Sequence, residues 1–88
     1  MATYIVTYDL RKPGQNYTEL IDEIQSLGTY AKVTESLWVV VSGLTAEQIR
    51  VKLDLKIDNN DRIFVIKTQR EASWRNVLCT DQWLQDNL

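Results

Sequence analysis

The hydrophobic pattern of this chain alternates repeatedly between the period of a β-strand and that of an α-helix. Residues 3–8, 30–34, 37–41 and 63–66 are rich in β-branched, aromatic and aliphatic side chains, which is typical of strands. Two stripes at helical spacing lie between these runs. The first stripe consists of Tyr17, Leu20, Ile21, Ile24 and Leu27, and the second of Ala46, Ile49, Leu53 and Ile57.

The resulting order is strand, helix, strand, strand, helix, strand, which is the split βαβ arrangement. It predicts an α+β domain, a ferredoxin-like βαββαβ fold with a four-stranded antiparallel sheet and two helices on one face. Right-handed crossovers place the first and third strands in the centre and the second and fourth at the edges. We expect this domain to span residues 1–70, with a C-terminal helical tail over residues 71–88 that packs on the domain or on a dimer partner.

Local signals support the two helices. Gly28 follows the first stripe and is expected to end that helix in a left-handed conformation. Thr45 and Gln48 have the spacing of a capping box before the second stripe.

Two of the predicted strands are apolar on both faces. The runs LWVVV (37–41) and IFVI (63–66) show no polar alternation, yet two helices can cover only one face of the sheet. An uncovered apolar face or edge favours aggregation, so something must cover it. One candidate is the tail, which contains Trp74, Val77, Leu78, Trp83 and Leu84. The other is a second copy of the chain, packed sheet to sheet or edge to edge, and we expect a homodimer.

Composition excludes several classes of chemistry. The chain has 88 residues, no histidine and one cysteine, Cys79. Serine or cysteine triads that use histidine, zinc sites with imidazole ligands and an internal disulfide are therefore excluded. The formal charge of −2 means that any nucleic-acid site must be a local patch. With no signal-peptide pattern and no apolar run of membrane length, we expect a cytoplasmic protein without membrane contact.

Three short motifs resemble a known family. The first strand ends in Tyr8-Asp9, and the third opens with a Glu-Ser-x-Trp step, in which Glu35, Ser36 and Trp38 take part. Together with the C-terminal segment WRNVLCTDQWLQDNL (74–88), these motifs are similar to the CRISPR-associated Cas-two family, and most of all to its SinR-like small proteins. The resemblance implies a ferredoxin-like fold and a two-fold dimer. In nucleolytic members it also implies a magnesium site between the subunits, built on the aspartate at the end of the first strand, which is Asp9 here.

The chemistry of Asp9 gives two alternatives. One carboxylate binds Mg²⁺ poorly, but a two-fold axis close to Asp9 would supply a pair, to which waters and substrate phosphate could be added. Asp9 with bound Mg²⁺, assisted by the hydroxyl of Tyr8, would then be the catalytic group. The plainer alternative is that Asp9 caps a turn or pairs with Arg11, and that Tyr8 packs against a neighbour.

Further residues are candidates for contact with nucleic acid. Arg11 and Lys12 could bind phosphate without reading sequence, Ser36 could donate to phosphate, and Lys67 and Arg70 could form a basic rim. Each has a structural alternative. Arg11 and Lys12 could be solvated loop charges, and Ser36 could be part of a tight connection between strands. Lys67 and Arg70 could be charged residues that prevent an edge strand from pairing with another chain.

Two functions follow from these alternatives. In the first, the protein is a nucleic-acid-directed, metal-dependent endonuclease that cleaves RNA or DNA at a dimer interface. In the second, the same fold is a non-catalytic dimeric scaffold or protein-interaction module.

Overall fold

The computed structural model describes residues 1–11 and 17–88, and it has an α+β architecture. The elements in chain order are β1 (Ala2–Asp9), α1 (Thr18–Gln25), β2 (Thr29–Thr34), β3 (Leu37–Ser42), α2 (Ala46–Asp54), β4 (Arg62–Lys67) and α3 (Asp81–Asn87). The sequence therefore predicted the order of strands and helices correctly. None of the helices in the described residues is long and apolar enough to cross a membrane.

The four strands form one antiparallel sheet in the order β2-β3-β1-β4. The first and third strands are central and the second and fourth lie at the edges, as predicted. This order is compatible with a ferredoxin-like fold. Because β1 and β4 run in opposite directions, Asp9 at the end of β1 lies opposite Arg62 at the start of β4.

Both predicted helical stripes pack on the same face of the sheet. Leu20 and Ile24 of α1 and Ile49 and Leu53 of α2 are fully buried in one cluster. Their partners on the sheet include Tyr4, Val6, Trp38 and Val40. Each fully buried side chain of this size contributes roughly 1.5–3 kcal/mol from the removal of apolar surface from water.

The ends of the two helices differ in how well they were predicted. The capping box at α2 is present: Thr45 Oγ1 accepts from Gln48 N at 3.1 Å, and Gln48 Oε1 accepts from Thr45 N at 2.9 Å. After α1, Gly28 has a positive φ of 157°, a conformation that residues with a side chain rarely adopt, so glycine is favoured at the predicted stop although φ is far from the value of about 57° of a left-handed helical residue. A Cβ atom there would lie 2.0 Å from the carbonyl oxygen of Val41, so the close approach of β3 is a second reason for glycine.

The C-terminal segment covers part of the opposite face of the sheet. Leu84 of α3 is buried against Val33 and Val39, and Trp74, Val77 and Trp83 pack around the same cluster. The backbone N–H of Leu78 donates to the carbonyl of Val33 at 2.9 Å. The tail thus packs on its own domain, and the expected homodimer stays a prediction.

This cover does not extend to β4. Phe64 and Ile66 are opposite Thr7 and Ile5 of β1, on the face that the tail partly covers. Both side chains remain largely exposed.

Candidate functional site at the end of β1

Asp9 lies between two arginine side chains. Its Oδ2 accepts a hydrogen bond from Arg62 Nη1 at 2.7 Å and a longer one from Arg11 Nη1 at 3.4 Å. All three side chains are about half exposed or more. The pairing with Arg11 that the sequence left open as a structural role of Asp9 is therefore present, and a stronger contact with Arg62 accompanies it.

The two arginines favour the ionised form of Asp9. The hydrogen bond from Arg62 is the main reason why the pKa of Asp9 lies below its ordinary value of 3.8. Partial desolvation opposes this effect, and the positive charge of Arg11 adds to it. At neutral pH the carboxylate is negative, and two guanidinium groups already compensate its charge.

Only one oxygen of this carboxylate is held in this way. No described residue donates a hydrogen bond to Oδ1 of Asp9. Asp9 and Arg62 line a shallow pocket of about 320 Å³, whose other lining residues are Thr7, Tyr8, Ile63 and Phe64. Among the described residues, arginine thus holds one oxygen of Asp9, and none holds the other.

Arg11 is itself held in place by the carboxylate of Asp61, which lies in the loop before β4. Asp61 Oδ1 accepts from the backbone N–H of Arg11 at 2.7 Å, and Asp61 Oδ2 accepts from the N–H of Asp58 at 2.9 Å. The hydroxyl of Tyr17 donates to the same carboxylate at 3.1–3.2 Å. Asp61 thus fastens the chain after β1 to the loop before β4, which positions Arg11 beside Asp9.

Tyr8 lines the same shallow pocket as Asp9, but no hydrogen bond joins their side chains. Successive residues of a strand point to opposite faces, and Tyr8 packs on the helix-covered face. Its hydroxyl accepts a hydrogen bond from Trp38 Nε1 at 3.1 Å. This contact matches the packing role that the sequence left open for Tyr8.

Ser36 does lie at the same end of the sheet as Asp9. It is exposed in the turn between β2 and β3, and its carbonyl oxygen accepts from Tyr8 N at 3.2 Å and from Thr7 Oγ1 at 3.0 Å. The described contacts of Ser36 are those of a tight connection between strands, which was its structural alternative.

The other basic candidates are separated from this site. Lys67 is opposite Tyr4, five residues from Asp9 along β1, which corresponds to roughly 17 Å. Arg70 lies shortly after Lys67 in the chain. Both residues line a hollow with Asp86 and Asn87 at the end of the sheet that is far from Asp9. Lys12 lies outside the described residues. Within one subunit, Arg11 and Ser36 are therefore near Asp9, whereas Lys67 and Arg70 are not.

Arg62 makes the shortest contact with Asp9, and the sequence analysis did not name it. A signal for it was present, because the predicted topology places the fourth strand antiparallel to the first. The first residue of one strand then meets the last residue of the other.

Residues 1–11 and 17–88 contain no group of three carboxylate or thiol side chains that is arranged to hold a metal ion. A magnesium site on Asp9 would therefore draw on ligands other than the acidic and thiol side chains of these described residues, such as water or substrate phosphate.

No model of a known protein family matches this chain. The class that the structure defines is an α+β domain compatible with a ferredoxin-like fold, with an arginine–aspartate cluster at the end of β1. The resemblance to the Cas-two family is a hypothesis based on the short sequence motifs.

Proposed function

We propose that this chain is a Cas-two-like, nucleic-acid-directed protein that contacts the phosphodiester backbone of RNA or DNA at the end of β1. The observation that supports this is the convergence of Arg11 and Arg62 on one exposed carboxylate oxygen. Guanidinium groups bind phosphate oxygens with the same donors that they offer to a carboxylate.

In this proposal, the negative charge of Asp9 opposes the binding of phosphate by the two arginines. The carboxylate of Asp9 accepts from one nitrogen of each guanidinium group and offsets their positive charge, which weakens their attraction for a phosphate. Removing the negative charge of Asp9 should therefore strengthen binding, whereas removing Arg62 should weaken it. Contacts of this kind position the nucleic acid without reading its sequence.

The test measures the binding of labelled single-stranded and double-stranded RNA and DNA by fluorescence anisotropy at several salt concentrations. Arg62→Gln should reduce affinity and lower the slope of log affinity against log salt by about 1 in magnitude. Asp9→Asn should increase affinity. The matched control is Arg50→Gln, since Arg50 is also half exposed and pairs with a carboxylate, that of Asp54 on α2. Equal effects of the two arginine substitutions, or no binding to any probe, would overturn the proposal and favour a module that binds protein only.

A metal-dependent endonuclease is the second candidate, favoured by Oδ1 of Asp9, which no described residue holds. With Mg²⁺ bound between Asp9 and its copy in a second subunit, the site would gain a polarised phosphoryl group and an ionised water. Asp9 would act as the ligand, and Arg11 and Arg62 would hold the substrate phosphate.

The same Asp9→Asn variant separates the two candidates. If the protein is a nuclease, this variant loses Mg²⁺-dependent cleavage while it still binds nucleic acid, and EDTA abolishes cleavage by the wild type. If the protein only binds, the wild type leaves the probes intact in Mg²⁺. Cleavage that continues unchanged in Asp9→Asn would remove Asp9 from the mechanism.

A further inference from the structure

The outer edge of β4 exposes apolar side chains beside unpaired backbone groups. β4 is the last strand in the sheet order, and no described strand pairs with its outer side. Phe64 is 59% exposed and Ile66 is 47% exposed. An exposed edge of this composition is a template for pairing with another strand.

The hydrogen-bond pattern shows which backbone groups of β4 face outward. Thr68 N donates to Thr3 O at 2.8 Å, which makes Thr3 and Thr68 a hydrogen-bonded pair of the antiparallel ladder. Such pairs recur at every second residue, so Ile66 and Phe64 also bond to β1. The N–H and carbonyl groups of Ile63, Val65 and Lys67 consequently point away from β1.

We propose that β4 pairs antiparallel with β4 of a second copy of this chain, about a two-fold axis at Val65. In this register Val65 is opposite Val65 of the second copy, and Ile63 is opposite Lys67, so every outward backbone group of the three residues finds a partner. Phe64 is then opposite Ile66 of the other copy, and this pair occurs twice. The two sheets become one continuous sheet.

Apolar contact and charge favour this register over its neighbours. A two-fold axis at Phe64 would place Ile66 opposite Arg62 and leave Ile66 without an apolar partner. An axis at Ile66 would likewise place Phe64 opposite the threonine that follows Lys67 and leave Phe64 without an apolar partner. An axis at Lys67 would place two lysines directly opposite each other, which is destabilising. With the axis at Val65, no two like charges are directly opposite, and both exposed apolar residues are covered.

The second copy would also complete a cavity. Ile66, Trp74 and Leu84 line a largely apolar cavity of about 530 Å³ between the C-terminal segment and the sheet. Phe64 of the second copy lies opposite Ile66 and therefore at the margin of this cavity. The edge pairing thus covers apolar surface that the tail leaves open.

The proposed dimer fixes the distance between its two Asp9 residues, and this distance does not depend on nucleic-acid binding. Arg62 is three residues from the axis, and Asp9 is one strand further out. With about 3.3 Å per residue and about 4.8 Å between strands, the two Asp9 residues lie roughly 25 Å apart. They cannot share one Mg²⁺ in this dimer, so the edge-paired assembly supports binding rather than cleavage at a shared metal.

The experiment measures molar mass by light scattering over a range of protein concentrations, without nucleic acid. The wild type should approach twice the 10.2 kDa chain mass. Phe64→Glu and Ile66→Lys should each weaken dimerisation by about tenfold, because each places a charge opposite an apolar residue twice. The double variant should recover dimerisation, since glutamate and lysine then face each other across the junction.

The control variant is Val51→Glu, since Val51 is 48% exposed on α2 and lines a separate hollow with Leu44 and Gln48. It should dimerise like the wild type, and circular dichroism should show that all variants are folded. A wild type that stays at the chain mass would overturn the proposal. So would single variants that dimerise normally. Failure of the double variant to recover would exclude the register at Val65, because an axis at Phe64 would place the two glutamates opposite each other.

Discussion

Arg62 Nη1 donates to Asp9 Oδ2 at 2.7 Å, and the two residues are direct partners across the β1–β4 ladder. Fifty-two residues separate them in the sequence, so this contact forms only when the edge strand β4 joins the sheet. The strongest electrostatic contact of the candidate site therefore depends on the register of β4.

We expect Arg62→Gln to raise the pKa of Asp9 towards 3.8, because the hydrogen bond from Arg62 is the main cause that lowers it. Since the pKa is lower in the folded protein, the contribution of Asp9 to stability is present above pH 3.8 and is lost as the pH falls through the folded-state pKa. The wild type should accordingly lose more stability than Arg62→Gln below pH 3.8. Carboxyl chemical shifts in an NMR titration measure the pKa directly.

Arg11→Gln is the comparison for this experiment. Arg11 lies further from the carboxylate, at 3.4 Å, so its removal should raise the pKa of Asp9 less than removal of Arg62 does. An equal or larger effect of Arg11→Gln would mean that Arg62 is not the main partner in solution.

A second prediction concerns Tyr8, which sequence reasoning offered as a catalytic residue. Tyr8→Phe removes the acceptor of the indole N–H of Trp38, whose side chain is buried. We expect a loss of about 1 kcal/mol in the free energy of unfolding, measured with urea, and no change in nucleic-acid binding. Tyr30→Phe serves as the control because Tyr30 is exposed and should cost much less. A loss of binding or cleavage in a stably folded Tyr8→Phe protein would show that the hydroxyl of Tyr8 takes part in function.

The sequence predicted the elements and their order because hydrophobic period is a local property. Each apolar stripe can be buried on only one face of its helix. The structure buries both stripes in this way, through Leu20, Ile24, Ile49 and Leu53. The topology followed from general rules for connections between strands. Asp9 and Arg11 could likewise be paired from sequence because they are two residues apart.

The missing parts of the site depended on the register of strands that are distant in sequence. Arg62 and Lys67 belong to the same strand, but antiparallel pairing brings the first to Asp9 and takes the second to the opposite end of the sheet. The residue types that surround Asp9 in the sequence gave no information on whether Arg62 or Lys67 lies close to it. The place of the tail was also open, because its apolar residues could pack on the same chain or on a second one.

Gly28 provides a third prediction, about the packing of β2 and β3. A Cβ atom at Gly28 would lie 2.0 Å from the carbonyl oxygen of Val41, whereas a Cβ atom at Gly43 meets nothing within 4 Å. We expect Gly28→Ala to reduce the free energy of unfolding by roughly 2–3 kcal/mol, because the backbone must shift. Gly43→Ala should change it by less than about 0.5 kcal/mol, as surface substitutions usually do. Equal stabilities of the two variants would show that β3 does not approach Gly28 this closely.

The last prediction tests whether the tail covers the sheet of its own chain. Leu84 is buried against Val33 and Val39, whereas Leu78 in the same tail is largely exposed. Leu84→Ala should cost roughly 2–4 kcal/mol in the free energy of unfolding, and Leu78→Ala should cost much less.

A local readout accompanies the change in stability. The N–H of Leu78 donates to Val33 O, so its hydrogen exchange reports directly on whether the tail is docked. In Leu84→Ala this amide should exchange faster than the amides of β1, since the tail detaches before the central strands open. If protection of the Leu78 amide and overall stability are unaffected by Leu84→Ala, the tail does not pack on its own sheet in solution. A second copy would then have to cover the whole of that face, and not only the edge at Phe64 and Ile66.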